Sequence, residues 1–456
     1  MNRRNFVKTG AALLTFPVKA QSARPNVILI LADDLGYGDL SCYGSPIQTP
    51  NLDRMAREGA RFRQFYSASP VCSPSRASLL TGRYPTRAGV PYVLNTESQT
   101  GLPLSETTIA EMLKQVNYNT MCIGKWHLGS KPQYMPMKRG FDQFFGIPYS
   151  NDMWPAPLMR NNEIVERPAN QDTLNFRYTA EAMDFIEHSH NAPFFLYVAY
   201  ATPHVPLGAS PGFRGKSRLG LYGDAVQEMD WSIGVILDSL RENSIDDRTL
   251  VLFASDNGPW FQGSAGALRG RKGETLEGGV RVPFLAHFPG RIPAGLVSEG
   301  ITSTMDILPT LSGLCGAPLP SMPMDGVDIW PILTGNRDAI PREMLLYFDG
   351  WNLQCARLAR WKIHVSRYNT PPWLPEPKVG RLNLPLPNAE LYDMERDPGE
   401  SYDVAAENPA IVKYLRERLE SLLPTFPDPV LAAWWETWDR SVEEGYPGQF
   451  PTLKSP

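Results

Sequence analysis

Asn26-Val-Ile-Leu-Ile-Leu-Ala32 runs straight into Asp33-Asp34. After Asn26 the stretch has no polar alternation, so no side of it is suited to water. An apolar run of this length fits a strand covered on both faces, as in a parallel sheet flanked by helices. Three further runs read alike: Asn119-Thr-Met-Cys-Ile123, Pro193-Phe-Phe-Leu-Tyr-Val-Ala-Tyr200 and Thr249-Leu-Val-Leu-Phe-Ala-Ser255. Helical patterns lie between them. Ser105 to Gln115 opens on a capping residue and carries Ile109, Met112 and Leu113 on one stripe. Asp224 to Asn243 places Val226, Met229, Ile233, Ile236, Leu237 and Leu240 near helical spacing, and Asp306 to Cys315 is a shorter segment of the same kind. Strands alternating with helices predict an α/β fold, a mainly parallel central sheet sandwiched by helices.

Beyond about residue 340 the texture changes. Met344–Phe348, Gln354–Leu358, Trp361–Val365 and Leu391–Asp393 are short apolar runs, interrupted by a proline-rich loop from Pro371 to Pro387. They predict a small antiparallel sheet, followed by one amphipathic helix over Pro409 to Leu423. The expected organisation is a catalytic domain over 24–340 and a C-terminal α+β subdomain over 341–456, with the boundary near 335–345. Residues 1–23 read as an export signal of the twin-arginine type. Arg3-Arg4 precedes a short, weakly apolar stretch (Gly10 to Val18) and small-residue cleavage sites. The expected location is outside the cytoplasm, in a bacterial periplasm. That apolar stretch is too short to span a bilayer, and no stable membrane anchor is expected.

The 456 residues carry 44 basic and 48 acidic side chains, a formal charge of -4. This balance supplies no field for nucleic acid. An anionic substrate would therefore need a locally positive pocket. The five cysteines (Cys42, Cys72, Cys122, Cys315 and Cys355) show no zinc spacing and no CxxC, and their pairing cannot be read from spacing.

All four core runs end in polar clusters: Asp33-Asp34, Gly124-Lys125-Trp126-His127, Thr202-Pro203-His204 and Asp256-Asn257-Gly258. In open parallel sheets, ligands bind beyond the carboxyl ends of the strands, so these groups would share one crevice. Asp33, Asp34, Asp256 and Asn257 are hard oxygen ligands, suited to Ca²⁺ and less well to the strict octahedron of Mg²⁺. Cys72-Ser-Pro-Ser-Arg76 leads into a predicted helix that Gly82 ends. Cys72 would then stand at a helix N-terminus, where free amides favour an anion. Taken singly, several of these residues have blander readings. Lys272 fits a solvated basic loop, His204 a turn, and Cys72 an inert thiol. His188 and His190 read as surface, and His287 and His364 as core. Trp154 and Trp260 read as packing or as a stacking surface for a substrate ring.

Together, however, the motifs resemble the formylglycine-dependent sulfatases of the alkaline phosphatase-like superfamily, in the arylsulfatase A and N-acetylgalactosamine-6-sulfatase branch. The resemblance rests on Cys72-Ser-Pro-Ser-Arg76 with Gly82-Arg83, Gly124-Lys-Trp-His-Leu-Gly129, Arg139-Gly-Phe-Asp142, Gly146-Ile-Pro-Tyr-Ser150, Arg271-Lys-Gly273, Glu277-Gly-Gly-Val-Arg-Val-Pro283 and Leu391-Tyr-Asp-Met-Glu-Arg-Asp-Pro-Gly-Glu400. It implies that a maturation enzyme converts Cys72 to formylglycine. It implies that Asp33, Asp34, Asp256 and Asn257 hold Ca²⁺ together with that residue, Asp256 also taking a proton. Arg76 and Lys125 would orient the hydrated aldehyde and His127 assist sulfate release. His204 and Lys272 would contact sulfate and protonate the leaving alcohol, with Ser150 on the substrate side. The implied substrate is a small or oligosaccharide sulfate ester. The rival readings are a phosphatase or phosphodiesterase on the same fold, and a binding protein that has lost the chemistry.

Overall fold

The computed structural model describes residues 24–189, 192–336, 339 and 342–443, the side chains of 441–443 excepted. The expected export segment and His190 lie outside the described residues.

The strands, in chain order, are β1 (Asn26–Ala32), β2 (Ala60–Phe62), β3 (Phe65–Tyr66), β4 (Asn119–Lys125), β5 (Gln143–Ile147), β6 (Leu158–Arg160), β7 (Glu163–Glu166), β8 (Phe194–Ala199), β9 (Thr249–Ser255), β10 (Phe284–His287), β11 (Leu296–Ser298), β12 (Thr302–Ser303), β13 (Leu345–Asp349), β14 (Asn352–Leu358), β15 (Trp361–Tyr368) and β16 (Asn383–Asp393). Ten of them form one sheet in the order β11-β2-β10-β9-β1-β8-β4-β5-β6-β7. The four runs read as core strands are four successive neighbours, β9-β1-β8-β4, all parallel. Around them, β10 pairs antiparallel with β9 and with β2, and β6 and β7 extend the other edge antiparallel.

β1 shows why its sequence has no polar face. Val27, Leu29 and Leu31 enter one apolar core, and Ile28, Ile30 and Ala32 enter the other. The first core takes side chains from helices Cys72–Thr81, Ile109–Lys114 and Ile307–Cys315. The second takes them from helices Pro50–Glu58, Leu174–Ser189 and Gly220–Glu242. Each fully buried Val, Ile or Leu side chain contributes roughly 1.5–3 kcal/mol, so this strand anchors both layers.

Strands β13-β14-β15-β16 form the small C-terminal antiparallel sheet. Its apolar side shares a third core with Tyr66, Tyr84, Val280 and Met305, so it is packed onto the main unit. Three details depart from expectation. The helix predicted from Ser105 begins at Ile109, because Thr108 accepts from the Glu111 backbone N–H while the Glu111 carboxylate accepts from the Thr108 N–H. A second C-terminal helix, Asp428–Glu443, follows Pro409–Leu422. Strand β16 also enters the proline-rich segment, pairing Pro385 with Ser366. As an edge strand it can carry prolines where no ladder N–H is required.

Candidate active site

The polar clusters meet where the sheet geometry requires. β1 ends at Ala32, β9 at Ser255, β8 at Ala199 and β4 at Lys125, side by side and parallel, so the residues that follow share one rim. Backbone bonds fix the turns: Asp33 N–H donates to Thr202 O (3.1 Å) and Asp256 N–H to Ala32 O (3.1 Å). Gly124 has φ +100°, and a Cβ there would lie 1.8 Å from Ala199 O, so only glycine lets β4 approach β8 closely enough to deliver Lys125. Asp34 (φ 63°) and His127 (φ 58°) occupy the left-handed region without being glycine. Such positions cost of order 1–3 kcal/mol and cluster at functional sites.

The helix Cys72–Thr81 places Cys72 in its first turn, with Gly82 closing it in the left-handed region through N–H to Ser78 O. Cys72 is buried, and burial pushes its thiol up while the neighbouring Lys125 and Lys272 charges pull it down. One turn on, Arg76 is fully buried. Its Nε and Nη2 grip Asp256 Oδ2 at 3.0 and 2.8 Å, and Nη1 donates to Lys125 O at 2.9 Å. Lys125 Nζ donates to Asp33 Oδ2 (2.6 Å) and to Ser150 Oγ (3.0 Å). Lys272 Nζ reaches Asp34 Oδ1 at 2.7 Å. Asn257 Nδ2 donates to Asp34 Oδ1 (2.8 Å), and Asp256 Oδ1 accepts the Asp34 N–H (3.1 Å). His204 Nε2 lies 3.6 Å from Asp34 Oδ2, and its Nδ1 faces Val205 O at 2.5 Å. Thus Asp33, Asp34, Ser150, Asp256, Asn257, Arg76, Lys125, His204 and Lys272 belong to one linked network.

Repulsion among three buried acids is only half of the electrostatics. Arg76, Lys125 and Lys272 match Asp33, Asp34 and Asp256 charge for charge. Burial alone would raise Asp33, but Lys125, His204, Arg76 and Lys272 together hold it well below its usual range. Asp256 is pushed up to about 7, by burial and then by Asp33, against the pull of Arg76. Burial also lowers His127 and His204. The His127 Nε2 faces Leu94 O at 2.7 Å, so that nitrogen carries the hydrogen. Its Nδ1 is then a buried acceptor without a partner.

Two more buried acceptors of the site make no hydrogen bond: Asn257 Oδ1, and Asp33 Oδ1, which has only the Arg76 guanidinium at 3.5 Å. Orphaned buried oxygens of this kind call for an unseen donor or cation. They belong to two of the five residues expected as metal ligands, and the oxygen donors of Asp33, Asp34, Asp256 and Asn257 fit a hard divalent ion. Oxygen atoms of Asp33 and Asp34 and a ring nitrogen of His204 also lie within 4.8 Å of one another, which adds His204 to the groups able to hold a metal.

Elsewhere, His188 is exposed, His287 is buried beside Glu58, and the five cysteines are all free. His364 is buried but far from bland: its Nε2 bonds Glu400 Oε1 at 2.6 Å. Sequence reasoning missed the ionic cluster to which it belongs. Lys362 Nζ lies 3.0 Å from Glu277 Oε1, 2.9 Å from Glu400 Oε1 and 3.0 Å from Thr275 O, which ties β15 to the loop carrying Lys272. The signal in the sequence was Lys362 and His364 alternating with apolar residues on a strand whose inward side should have been apolar.

Buried carboxylates matched by cations beyond parallel strand ends mark a site suited to a charged ligand in an α/β protein. The comparisons with known proteins fix the family. The family model described as Sulfatase matches residues 25–317, and that of the N-sulphoglucosamine sulphohydrolase C-terminal region matches 272–424. The chain belongs to the sulfatase family and is a sulfuric ester hydrolase. It is 38% identical to human arylsulfatase A, covering 86% of each chain. It is 42% identical to dog N-acetylgalactosamine-6-sulfatase over 84% of this chain and 82% of that one. It also superposes with a TM-score of 0.75 on the structure of Ps i-CgsB in complex with k-i-k-neocarrahexaose, at 30% identity, covering 92% of this chain and 100% of that one.

Proposed function

We propose that this sulfatase removes sulfate esters from saccharides, with formylglycine at position 72 and Ca²⁺ held by Asp33, Asp34, Asp256 and Asn257. The observation that carries the reading is the pair of buried oxygens that make no hydrogen bond, Asn257 Oδ1 and Asp33 Oδ1 (the latter with only Arg76 at 3.5 Å), in the pocket that Cys72 shares with Lys125 and Lys272. Mg²⁺ fits the irregular loop ligands less well. A bound Ca²⁺ would polarise a sulfate oxygen and lower the proton affinity of a hydroxyl at position 72. A hydrated aldehyde there offers two hydroxyls on one carbon, one to attack sulfur and one whose collapse releases sulfate.

The residues around it divide the remaining work. Arg76, locked to Asp256 and to the Lys125 carbonyl, fixes the electrostatics beneath position 72. The unpartnered Nδ1 of His127 is placed to accept a proton from a hydroxyl in the pocket. Lys125 and Lys272 neutralise the transferring sulfuryl oxygens. Lys272, kept protonated by Asp34 against the penalty of burial, can donate to the leaving alcohol. His204, which burial favours as neutral, orients the substrate and shares that donation only when charged. Ser150, bonded to Lys125, stands on the substrate side.

The saccharide substrate is supported by the 30% identical structure whose description has it in complex with k-i-k-neocarrahexaose. Export fits the same reading: Arg3-Arg4 and the weakly apolar stretch after it point to the twin-arginine route into a periplasm. No helix among the described residues is long and apolar enough to cross a membrane. The test combines mass spectrometry of the peptide containing position 72, in protein matured in its native host, with sulfate release from sulfated saccharides. The expected results are an aldehyde at position 72, turnover, and none in Cys72→Ala. Full activity with an intact thiol would overturn the proposal, as would preference for a phosphate ester over the matched sulfate.

A further inference from the structure

Trp260, Phe261 and Trp373 form an aromatic group beside the loop carrying Arg271 and Lys272 that none of the three apolar cores includes. The ring centroids are 5.0 Å apart for Trp260 and Phe261, 6.2 Å for Trp260 and Trp373, and 5.5 Å for Phe261 and Trp373, with the planes close to perpendicular throughout. Phe261 is 50% exposed and both tryptophans are half-buried. The Arg271 guanidinium lies over Phe261, 4.1 Å from its centroid, and 5.8 Å from that of Trp373. That guanidinium makes no ion pair within 4.0 Å among the described residues, although its charge acts on the nearby Glu274 carboxylate, which accepts from the Arg271 backbone N–H at 3.1 Å.

Three chain segments build this group, and each is tied to the sulfate pocket. Trp260 lies three residues beyond Asn257. The Lys272 N–H donates to Pro259 O (3.1 Å), and the Gly273 N–H donates to Pro70 O (2.9 Å), two residues before Cys72. Trp373 is brought in by Pro372, which packs on Gly273 so closely that a Cβ there would lie 2.4 Å from its ring. Successive side chains of one loop therefore divide the labour: Lys272 binds Asp34 inside the pocket, and Arg271 lies over the aromatic rings.

We infer that Trp260, Phe261, Trp373 and Arg271 form a saccharide subsite continuous with the sulfate pocket, for a sugar carrying a second acidic group. The aromatic faces receive the apolar face of a pyranose, and Arg271 receives a carboxylate or a second sulfate on that sugar or its neighbour. This deepens the reading of the site as a saccharide sulfatase and rests on it.

Two measurements test the subsite. The first is kcat/KM on a monosulfated oligosaccharide and on the same oligosaccharide bearing an added uronate carboxylate, for the wild type and Arg271→Gln. The wild type should prefer the diacidic substrate by about tenfold, the worth of one charge-assisted hydrogen bond, and Arg271→Gln should bring the ratio close to one, chiefly through KM. The second is calorimetric binding of both oligosaccharides to Cys72→Ala, with and without Trp373→Ala, which should weaken both by several-fold. An unchanged ratio in Arg271→Gln, or unchanged binding on loss of Trp373, overturns the subsite. If the wild type releases no sulfate while Cys72→Ala still binds with this dependence, the hydrolytic reading fails and the subsite stands.

Discussion

His364 should make this protein lose stability in mild alkali. Its ring is completely buried on β15. Burial opposes its charge, but Cys355, its cross-strand partner, and Glu400 overcome that penalty and push it up to about 9 from an ordinary 6.5. A histidine whose folded value is raised binds its proton more tightly in the native state. Its stabilisation is complete below about 6.5 and is lost as pH rises through about 9. The displacement corresponds to about 3 kcal/mol at full effect, from about 1.4 kcal/mol per tenfold change in proton affinity. About 2 kcal/mol would remain near pH 7.5 and less than ~1 kcal/mol near pH 9. Urea unfolding of the wild type and of His364→Gln, followed from about pH 6 to about pH 10, isolates this contribution, because other titrations cancel in the difference. The wild-type advantage should shrink by about 3 kcal/mol across the range. A difference that stays flat would show that His364 binds its proton no more tightly folded than unfolded, and that the ionic cluster joining the C-terminal sheet to the Lys272 loop does not raise its proton affinity.

Other perturbations follow from the same geometry. Gly124→Ala sets a Cβ against Ala199 O and should destabilise by about 2–4 kcal/mol, with activity falling as Lys125 is displaced; an unchanged melting temperature would refute the close approach. Arg76→Lys gives up the paired contact with Asp256 and the bond to Lys125 O, and kcat should drop by about 10²-fold or more while the fold survives. Asp33→Asn should weaken Ca²⁺ binding, measured by calorimetry, by at least about tenfold. Removing the metal with a chelator should lower the wild-type melting temperature, and the shift should be much smaller in Asp33→Asn. Equal shifts in the two proteins would place the ion elsewhere.

Much of the architecture was legible because burial leaves a pattern. A strand covered on both faces must be apolar throughout, so β1, β4, β8 and β9 announced themselves. The strands that were not foreseen, such as β2, β6 and β11, have only three residues each, too few to set a period. The start of the helix at Ile109 turned on which of several plausible caps closed the box, and Thr108 prevailed because Glu111 stands three residues on. The candidate site was legible as a list of chemically apt residues at strand ends, ordered by resemblance to a family. The match of Asp33, Asp34 and Asp256 by Arg76, Lys125 and Lys272 was not, since Lys272 alone reads as a solvated loop residue.

The sequence by itself determined the parallel core, the helix that presents Cys72, and the identities of the candidate oxygen donors, because these depend on local periodicity, capping and side-chain chemistry. Only the tertiary structure decided that Asp34 faces Lys272 across 238 positions of chain, that Asp33 Oδ1 and Asn257 Oδ1 make no hydrogen bond, and that Pro372 packs on Gly273 beside Lys272. Such facts are set by which strand ends become neighbours and which loops pack over them, and no stretch of sequence encodes the distance between residues that only folding brings together.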